Sequence, residues 1–353
     1  MKTRNVATGF AILAAALYAI NVPISKLLLE AVEPTMMAAF LYLGAGIGLM
    51  LYGVIQKMAG KGESTEYLTK KELPYTVAMV VLDIIAPILL MLGIERTNSA
   101  NVSLLNNFEI VATSLIAFLV FKEVISKQLR LAIVLVVVAS AILSFEGNGA
   151  FVFNTGSLFV LGASICWGFE NNCTKMISNK SSVEIVTIKG CFSGLGSLCV
   201  ARLLGESFPE VKWLMAVLLL GFVSYGLSIH FYISAQKHLG AAKTSAYYSI
   251  APFLGVAFGI LLLGERPGIQ FYLGLVIMIV STVFMIKDSI GLQHTHEHEH
   301  THTHEHSHGD IVHSHEHTHH HTHLHIHEGD EASHSHEHSH LVGHEHVHLE
   351  GVA

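Results

Sequence analysis

The sequence predicts an all-α polytopic membrane protein with ten transmembrane helices, arranged as two inverted five-helix repeats, followed by a disordered His-rich cytoplasmic tail. Three observations predict this fold class. The chain of 353 residues is 51% hydrophobic and 13% charged, and apolar segments long enough to cross a bilayer recur along it. The stretch 95–128 returns in altered form at 237–270. After residue 290 the composition changes abruptly and histidine dominates.

The two copies of the repeated stretch align at a spacing of 142 residues and are identical at five positions. The identical pairs are Ala100/Ala242, Ser103/Ser245, Leu119/Leu261, Glu123/Glu265 and Gln128/Gln270. Each copy has a small and polar beginning, a long apolar run and an acidic end. Because one copy falls in each half of the chain, the pattern indicates an internally duplicated membrane protein.

Ten apolar segments, each near the roughly 20 residues that cross the hydrocarbon core, fill the chain before the tail. We predict spans at 7–29, 34–56, 75–94, 97–120, 129–146, 154–177, 183–204, 211–234, 241–263 and 268–287. The predicted domains are the first repeat at 1–147, the second repeat at 148–290 and the tail at 291–353. Short connections with helix breakers, such as Pro267-Gly268, separate the spans.

Basic residues are distributed unequally between the two sets of loops and helix ends. Thirteen lie in the set that includes both termini and four lie in the opposite set. Because Lys and Arg accumulate on the cytoplasmic side, we expect both termini in the cytoplasm. Five spans per half is an odd number, so the second half must cross the membrane in the opposite sense. Such inverted repeats are typical of secondary transporters, which hold their solute between the halves.

A second pair of matching segments links the first and sixth spans. Tyr18-Ala-Ile-Asn21 through Lys26 aligns with Trp167-Gly-Phe-Glu170 through Lys175. Each segment places an aromatic residue, a polar residue and a lysine at the same intervals.

Over about residues 5–288 the chain resembles the drug/metabolite transporter superfamily, specifically its EamA-type members. The resemblance rests on these two segments, on the two five-helix halves and on the helix ends Lys122-Glu123 and Gly264-Glu265-Arg266-Pro267. The resemblance implies a ten-helix fold and transport of a small solute. The chain departs from the family pattern at two positions. Tyr18 stands where a tryptophan is common, and Ile110 is the first-half counterpart of Pro252.

Glu109 is the foremost candidate for function. It lies eleven residues from the cytoplasmic end of its predicted span, which corresponds to a depth of about 16 Å. An ionisable group at mid-membrane is costly and is by default a functional candidate. Asn106 and Asn107 lie one turn away and join the candidate solute site. We expect Glu109 to take up a proton or to hold a cationic part of the solute; the alternative is a protonated carboxyl that serves only as a contact between helices.

Further polar residues in the spans extend the candidate site. Glu170 and Lys189 are both predicted to lie about 9–10 Å deep on neighbouring spans, so we expect them to approach within ion-pair distance. Tyr247 and Tyr248 reach a similar depth and are predicted to line the same vestibule. Asp83 is a third intramembrane acid. For each of these residues, a purely structural contact is the alternative to solute binding.

The tail differs from the rest of the chain, since 24 of the 26 histidines lie between His294 and His348. Its alternating His-x-His pattern offers almost no apolar surface to bury, so we expect disorder. Neutral imidazoles bind Zn, Ni, Co or Cu ions, so we expect the tail to bind such metals. The alternative is a tail that only keeps the protein solvated or buffers pH. The candidate metal ligands are His294, His296, His298, His300, His302, His304, His306, His308, His313, His315, His317, His319, His320, His321, His323, His325 and His327.

The leading hypothesis is therefore a secondary transporter that moves a small metabolite or drug by alternating access, with proton coupling through Glu109. The alternatives are a transition-metal (Zn, Ni or Co) transporter and a metal-sensing membrane protein. No nucleotide-binding loop, nucleophile elbow or metalloprotease motif occurs, so we expect neither an enzyme nor a required cofactor. Expected partners are a bacterial or archaeal plasma membrane, the solute and divalent transition metals at the tail, with no nucleic acid. A homodimer is left open.

Overall fold

The structure, a computed structural model, describes residues 2–59, 67–122, 125–144, 154–177, 180–239, 241–291, 293–308 and 311–326. The first half contains α1 (Lys2–Ala19), α2 (Asn21–Leu28), α3 (Pro34–Met58), α4 (Leu73–Arg96), α5 (Ser99–Leu105), α6 (Phe108–Phe121) and α7 (Lys127–Ser144). The second half contains α8 (Thr155–Met176), α9 (Ser182–Leu203), α10 (Val211–Gly221), a π-helix (Phe222–Leu227), α11 (Ser228–Leu239), α12 (Ala241–Tyr248), α13 (Ala251–Leu263) and α14 (Ile269–Gly291).

Nine helical stretches among the described residues are long and apolar enough to cross a membrane, and they match nine of the ten predicted spans. The remaining predicted span, 154–177, is α8. Its 22 residues are enough to cross the hydrocarbon core, but the run Glu170-Asn171-Asn172 lowers its hydropathy. Glu170 and Asn172 are buried inside the protein. All ten predicted spans therefore correspond to helices.

The two copies of the repeated stretch fold alike. The helix breaks at Asn106-Asn107 between α5 and α6, and again at Ser249-Ile250 between α12 and α13. Each copy ends in a residue with left-handed backbone, Lys122 with φ 55° and Gly264 with φ 64°. These two residues are separated by the predicted spacing of 142 positions. The shared break and the shared cap support the duplication, although Glu123 lies outside the described residues.

The helices pair in a two-fold pattern. α3 packs on α9 and α7 packs on α14, so the second and fifth spans each contact their own counterparts. α4 packs on α8 and α1 packs on α11, so the contact between spans three and six is mirrored by the contact between spans eight and one. This pattern is the one expected of two five-helix halves related by an inverted repeat.

Glycine allows α3 and α9 to approach closely where the halves meet. A Cβ added to Gly190 would lie 2.5 Å from the Cα of Gly46, closer than two carbon atoms can come. Small residues are the usual means of such close helix packing in membranes. The contact places the neighbouring Lys189 between α3, α4 and α8.

Two charged side chains hold the junction between α4 and α5, on the face of the protein opposite to the termini. Lys26 Nζ donates to three carbonyl oxygens at the end of α4, at 2.5 to 2.9 Å. From the second half, the Glu265 carboxylate accepts the backbone N–H groups of Ser99 and Ala100 at 2.7 and 2.9 Å. A cation at the end of one helix and an anion at the start of the next both complement the helix dipoles. The junction is therefore tied to both halves.

Part of the His-rich tail has regular structure. Strands β1 (Gln293–His308) and β2 (Ile311–Ile326) pair as an antiparallel hairpin. A His-x-His alternation has the two-residue period of a strand. Residues 327–353, which include His327, lie outside the described part of the chain.

Candidate functional site

A cavity of about 780 Å³ lies between the two halves. Its wall includes Asn106 and Asn107 at the break in the first half and Ser249 at the break in the second. Irregular backbone at membrane depth is tolerated only where it is buried in protein or lines a cavity. The duplicated breaks thus define the place of the cavity.

Glu109 lies in the first turn of α6 and forms part of the cavity wall. Its Oε1 accepts a hydrogen bond of 2.7 Å from Asn171 Nδ2, and the same amide group donates to Thr113 Oγ1 at 3.2 Å. Among the described side chains, no Lys, Arg or His forms an ion pair with Glu109. The start of α6 carries the positive end of the helix dipole, which favours a carboxylate there. Glu109 therefore presents an acidic group to the cavity without an ion-pair partner among the described side chains.

Asp83, Glu170 and Lys189 form a second charged group, which we call the carboxylate–lysine cluster. Lys189 Nζ lies 3.1 Å from Asp83 Oδ2 and 3.0 Å from Glu170 Oε1. The Tyr42 hydroxyl donates to Asp83 Oδ1 at 3.1 Å, and the Thr174 hydroxyl donates to Glu170. Both carboxylates are buried, and buried charges are tolerated when they are paired and hydrogen-bonded. With one lysine and two carboxylates, the cluster has one acidic group in excess.

Five tyrosines form a continuous row along the cavity wall, in the order Tyr42, Tyr225, Tyr18, Tyr248 and Tyr232. We call this set the tyrosine row. Neighbouring ring centroids are 5.1 to 5.9 Å apart. The row includes residues from α1 and α3 of the first half and from α11, α12 and the π-helix of the second. Tyr225 lies within the π-helix, a rare distortion that is frequent at functional sites.

The cavity extends toward the face of the protein that carries the termini. Its wall reaches Leu129 near the beginning of α7 and Asp288 near the end of α14, and the Ser126 hydroxyl donates to Asp288 there. No described residue of the wall belongs to the helix ends on the opposite face, where Glu265 holds the junction between α4 and α5. The cavity therefore extends to one face and is closed at the other.

Most of the predicted site residues come together in this cavity. Its wall contains Glu109, Asn106, Asn107, Glu170, Lys189 and Tyr248. Asp83 lies directly behind the wall in contact with Lys189. The predicted approach of Glu170 and Lys189 is confirmed by their separation of 3.0 Å. Whether these residues bind solute stays a prediction.

The prediction that Tyr247 lines the vestibule is wrong. Tyr247 is absent from the described cavity wall, and its side chain is 39% exposed. Consecutive residues of a helix point about 100° apart, and on α12 it is Tyr248 that faces this cavity.

Sequence reasoning missed several members of the wall. Asn171 follows Glu170 in a polar run within an otherwise apolar helix, and that run was a signal that pointed to it. Tyr42 and Tyr225 gave no such signal, because isolated tyrosines are frequent in membrane helices. Their place in the row arises only when the two halves pack together.

Among the side chains that the structure describes, no group of three or more His, Cys, Asp or Glu residues is arranged to hold a metal ion. The His230 ring on α11 instead forms a hydrogen bond of 3.0 Å with the Tyr52 hydroxyl. In the hairpin, the strand register places histidine opposite histidine at seven positions. The pairs are His294/His325, His296/His323, His298/His321, His300/His319, His302/His317, His304/His315 and His306/His313.

Two inverted five-helix halves around a shared cavity define a secondary-transporter fold. The model of the EamA-like transporter family matches residues 6–145 and 154–287, once on each half. The chain therefore belongs to the EamA-like transporter family and is an integral membrane protein.

The known proteins similar to this chain include a transporter from an archaeon and a solved structure. An "Uncharacterized transporter" of Methanothermobacter thermautotrophicus is 24% identical over 262 residues, which cover 70% of this chain and 76% of the relative. A solved structure described as "Crystal structure of protein" has a TM-score of 0.59 at 14% identity and covers 79% of this chain and 95% of that chain. The second likeness shows the fold alone.

Proposed function

We propose that this EamA-family protein is a secondary transporter that moves a small metabolite or drug by alternating access about the central cavity. The observation that carries the proposal is the meeting of the two broken spans at a cavity lined by Glu109. Discontinuous helices in corresponding places of two halves form the solute site in transporters of this kind.

Alternating access requires that the cavity open to one face at a time. The unequal distribution of basic residues favours cytoplasmic termini, so the cavity described here would open to the cytoplasm. Opening to the other face would break the hydrogen bonds from Ser99 and Ala100 to Glu265. The same movement would bring the surroundings of Ser126 and Asp288 together over the cytoplasmic mouth.

Glu109 is the proposed coupling residue. A carboxyl group without a fixed cationic partner holds either a proton or a charged group of the solute, but not both at once. Exchange of the two during the movement of the halves would couple transport to the proton gradient. The hydrogen bond from Asn171 orients the carboxyl toward the cavity in either case.

Uptake into proteoliposomes tests this function. The purified protein would be reconstituted and exposed to a panel of labelled metabolites, drugs and divalent metals, with and without an imposed pH gradient. We expect at least one organic solute to accumulate faster than in protein-free liposomes, and faster with the gradient than without it. Accumulation of metal ions alone would favour the metal-transport alternative. No accumulation of any solute would contradict the proposal.

We also propose that the tail binds divalent transition metals on the cytoplasmic side. The alternating His-x-His pattern supports this proposal, because neutral imidazoles bind divalent transition metals. The register of the two strands pairs histidine with histidine at seven positions.

Metal analysis of two chain lengths tests the tail. The full chain should retain several Zn²⁺ or Ni²⁺ ions per molecule at neutral pH, and a variant truncated after Ile290 should retain none of them. The ions should be lost below about pH 5.5, because imidazoles with a pKa near 6.5 become protonated and stop binding. Equal metal content in the two chains would contradict metal binding by the tail.

A further inference from the structure

The charges of the cavity distinguish between classes of solute. Lys189 is the only Lys, Arg or His among the described residues of the wall, and two carboxylates already hold it at 3.0 and 3.1 Å. A carboxylate on the solute would have to displace Asp83 or Glu170 from that lysine and leave a buried acid unpaired. The described part of the wall therefore offers no unoccupied cation to an anion or to the carboxylate of an amino acid.

A positively charged solute meets the opposite situation. Glu109 lines the wall and accepts a hydrogen bond from Asn171 at 2.7 Å, with no ion pair among the described side chains. A neutral amide donor satisfies part of a carboxylate's hydrogen-bonding capacity but leaves its charge uncompensated. A cation in the cavity supplies that compensation without breaking an existing ion pair.

The tyrosine row supplies a surface that suits the body of such a cation. Its rings meet at interplanar angles of 45° to 88°, so the row presents ring faces in several directions. Ammonium groups are attracted to the negative faces of aromatic rings, and hydrocarbon groups pack against the same rings. A cavity of about 780 Å³ has the size typical of sites for drug-sized molecules.

We propose that the solute is an organic cation, a protonated amine or quaternary ammonium group on an aromatic or branched hydrocarbon body, held with its charge between Glu109 and the tyrosine row. Carboxylates and zwitterionic amino acids fit this cavity less well, because the only cation among the described wall residues, Lys189, is already paired with two carboxylates. The inference rests on the proposed transport function for its biological meaning, but its test measures binding and needs no transport.

Equilibrium binding of tritiated phenyltrimethylammonium to the full-length protein in lipid nanodiscs tests the charge requirement. Three competitors share one aromatic ring and differ in charge: tyramine is a cation, N-acetyltyramine is neutral and tyrosine is a zwitterion. We expect saturable binding that tyramine displaces at least about tenfold better than N-acetyltyramine or tyrosine. Equal displacement by all three, or the absence of saturable binding, would overturn the proposal.

Two pairs of variants locate the binding site. Glu109→Gln should weaken phenyltrimethylammonium binding about tenfold or more, whereas Glu30→Gln, at an exposed acid outside the cavity, should leave it unchanged. Tyr248→Leu should weaken binding roughly threefold or more, and Tyr247→Leu, at a residue absent from the described cavity wall, should not. Thermal unfolding of each variant shows whether it is folded, and Glu109→Asn provides a second neutral variant if Glu109→Gln unfolds. Unchanged binding in a folded Glu109 variant would overturn the proposal.

Failure of this inference and failure of the transport function give different results. Saturable, Glu109-dependent cation binding without uptake into proteoliposomes would support the solute class and contradict transport. Uptake of an anionic or zwitterionic solute, with no cation binding, would contradict the solute class and support transport.

Discussion

The two broken spans share a backbone design and differ in chemistry. Both are interrupted at the cavity and both end in a left-handed residue. After the first break, α6 begins with Phe108-Glu109, and after the second, α13 begins with Ala251-Pro252. The position 142 residues after Glu109 is Ala251, so the repeat does not require an acid there. The duplicated features therefore belong to the architecture, whereas features without a counterpart, such as Glu109, are where we expect the solute to bind.

A close contact between the two halves, where α3 packs on α9, is expected to be the most sensitive to substitution. Gly190→Leu would insert a side chain into the backbone of α3 at Gly46, where even a Cβ has only 2.5 Å. We expect a loss of about 3 kcal/mol or more, enough to remove most of the folded protein. Size-exclusion chromatography after heating measures the surviving fraction.

Gly9→Leu is the matched control, because a Cβ at Gly9 meets no atom within 4 Å. It should fold like the wild type. Equal behaviour of the two variants would show that the close packing of α3 and α9 does not hold the halves together.

The carboxylate–lysine cluster gives the next largest effect. Lys189→Met should destabilise the protein by about 3–5 kcal/mol, because it leaves two buried carboxylates unpaired. Glu170→Gln should cost less, since Lys189 keeps its contact with Asp83. Adding Glu170→Gln and Asp83→Asn to Lys189→Met should restore part of the lost stability. Thermal unfolding of the series measures this order, and strictly additive losses would show that the three side chains do not act as a unit.

The closed face of the cavity offers a test of the contact between the halves. Glu265→Ala removes the acceptor for the first two N–H groups of α5, and loss of such a cap costs about 1–2 kcal/mol. Because that contact closes one face, the variant should also label faster at a cysteine introduced at Ser99. Glu210→Ala, at an exposed acid before α10 without a side-chain cap, is the control. Unchanged labelling in Glu265→Ala would contradict a role in closing the cavity.

The smallest effect concerns the left-handed caps of the two broken spans. Lys122 adopts φ 55°, which is unfavourable for a residue with a Cβ, while the second copy has glycine at the equivalent place. Lys122→Gly should therefore stabilise the protein by about 0.5–1 kcal/mol, and Gly264→Ala should destabilise it by about 1 kcal/mol. Unfolding temperatures that move in the same direction for both variants would show that the two caps are not equivalent.

The sequence was sufficient to predict the spans, the duplication and several polar residues of the wall, because apolar length, repeat spacing and depth along a helix are properties of the chain itself. Depth along a helix placed Glu170 and Lys189 at the same level, and the structure confirms their contact. The third member, Asp83, was predicted only as a separate acid. Its contact with Lys189 depends on how α4, α8 and α9 pack against each other. No local sequence pattern predicts that packing.

The tyrosine row and the error at Tyr247 have the same cause. Depth alone does not tell which side of a helix faces the cavity, and in a membrane both the lipid-facing side and the interior side are apolar. The rotation of α12 about its axis is therefore not encoded in its hydropathy. In the tail, composition indicated disorder, whereas the period of the same histidines is that of the strands observed from Gln293 to Ile326.

The most direct test of the central claim compares pH-driven uptake by the wild type and by Glu109→Gln over about pH 5.5–8, in proteoliposomes with matched protein content. The amide keeps the shape of the carboxyl and can still accept a hydrogen bond from Asn171, so the variant should fold normally. We predict that it loses uptake driven by the pH gradient, because it can neither bind nor release a proton. Uptake equal to that of the wild type at every pH would contradict the account and would make Glu109 a structural residue.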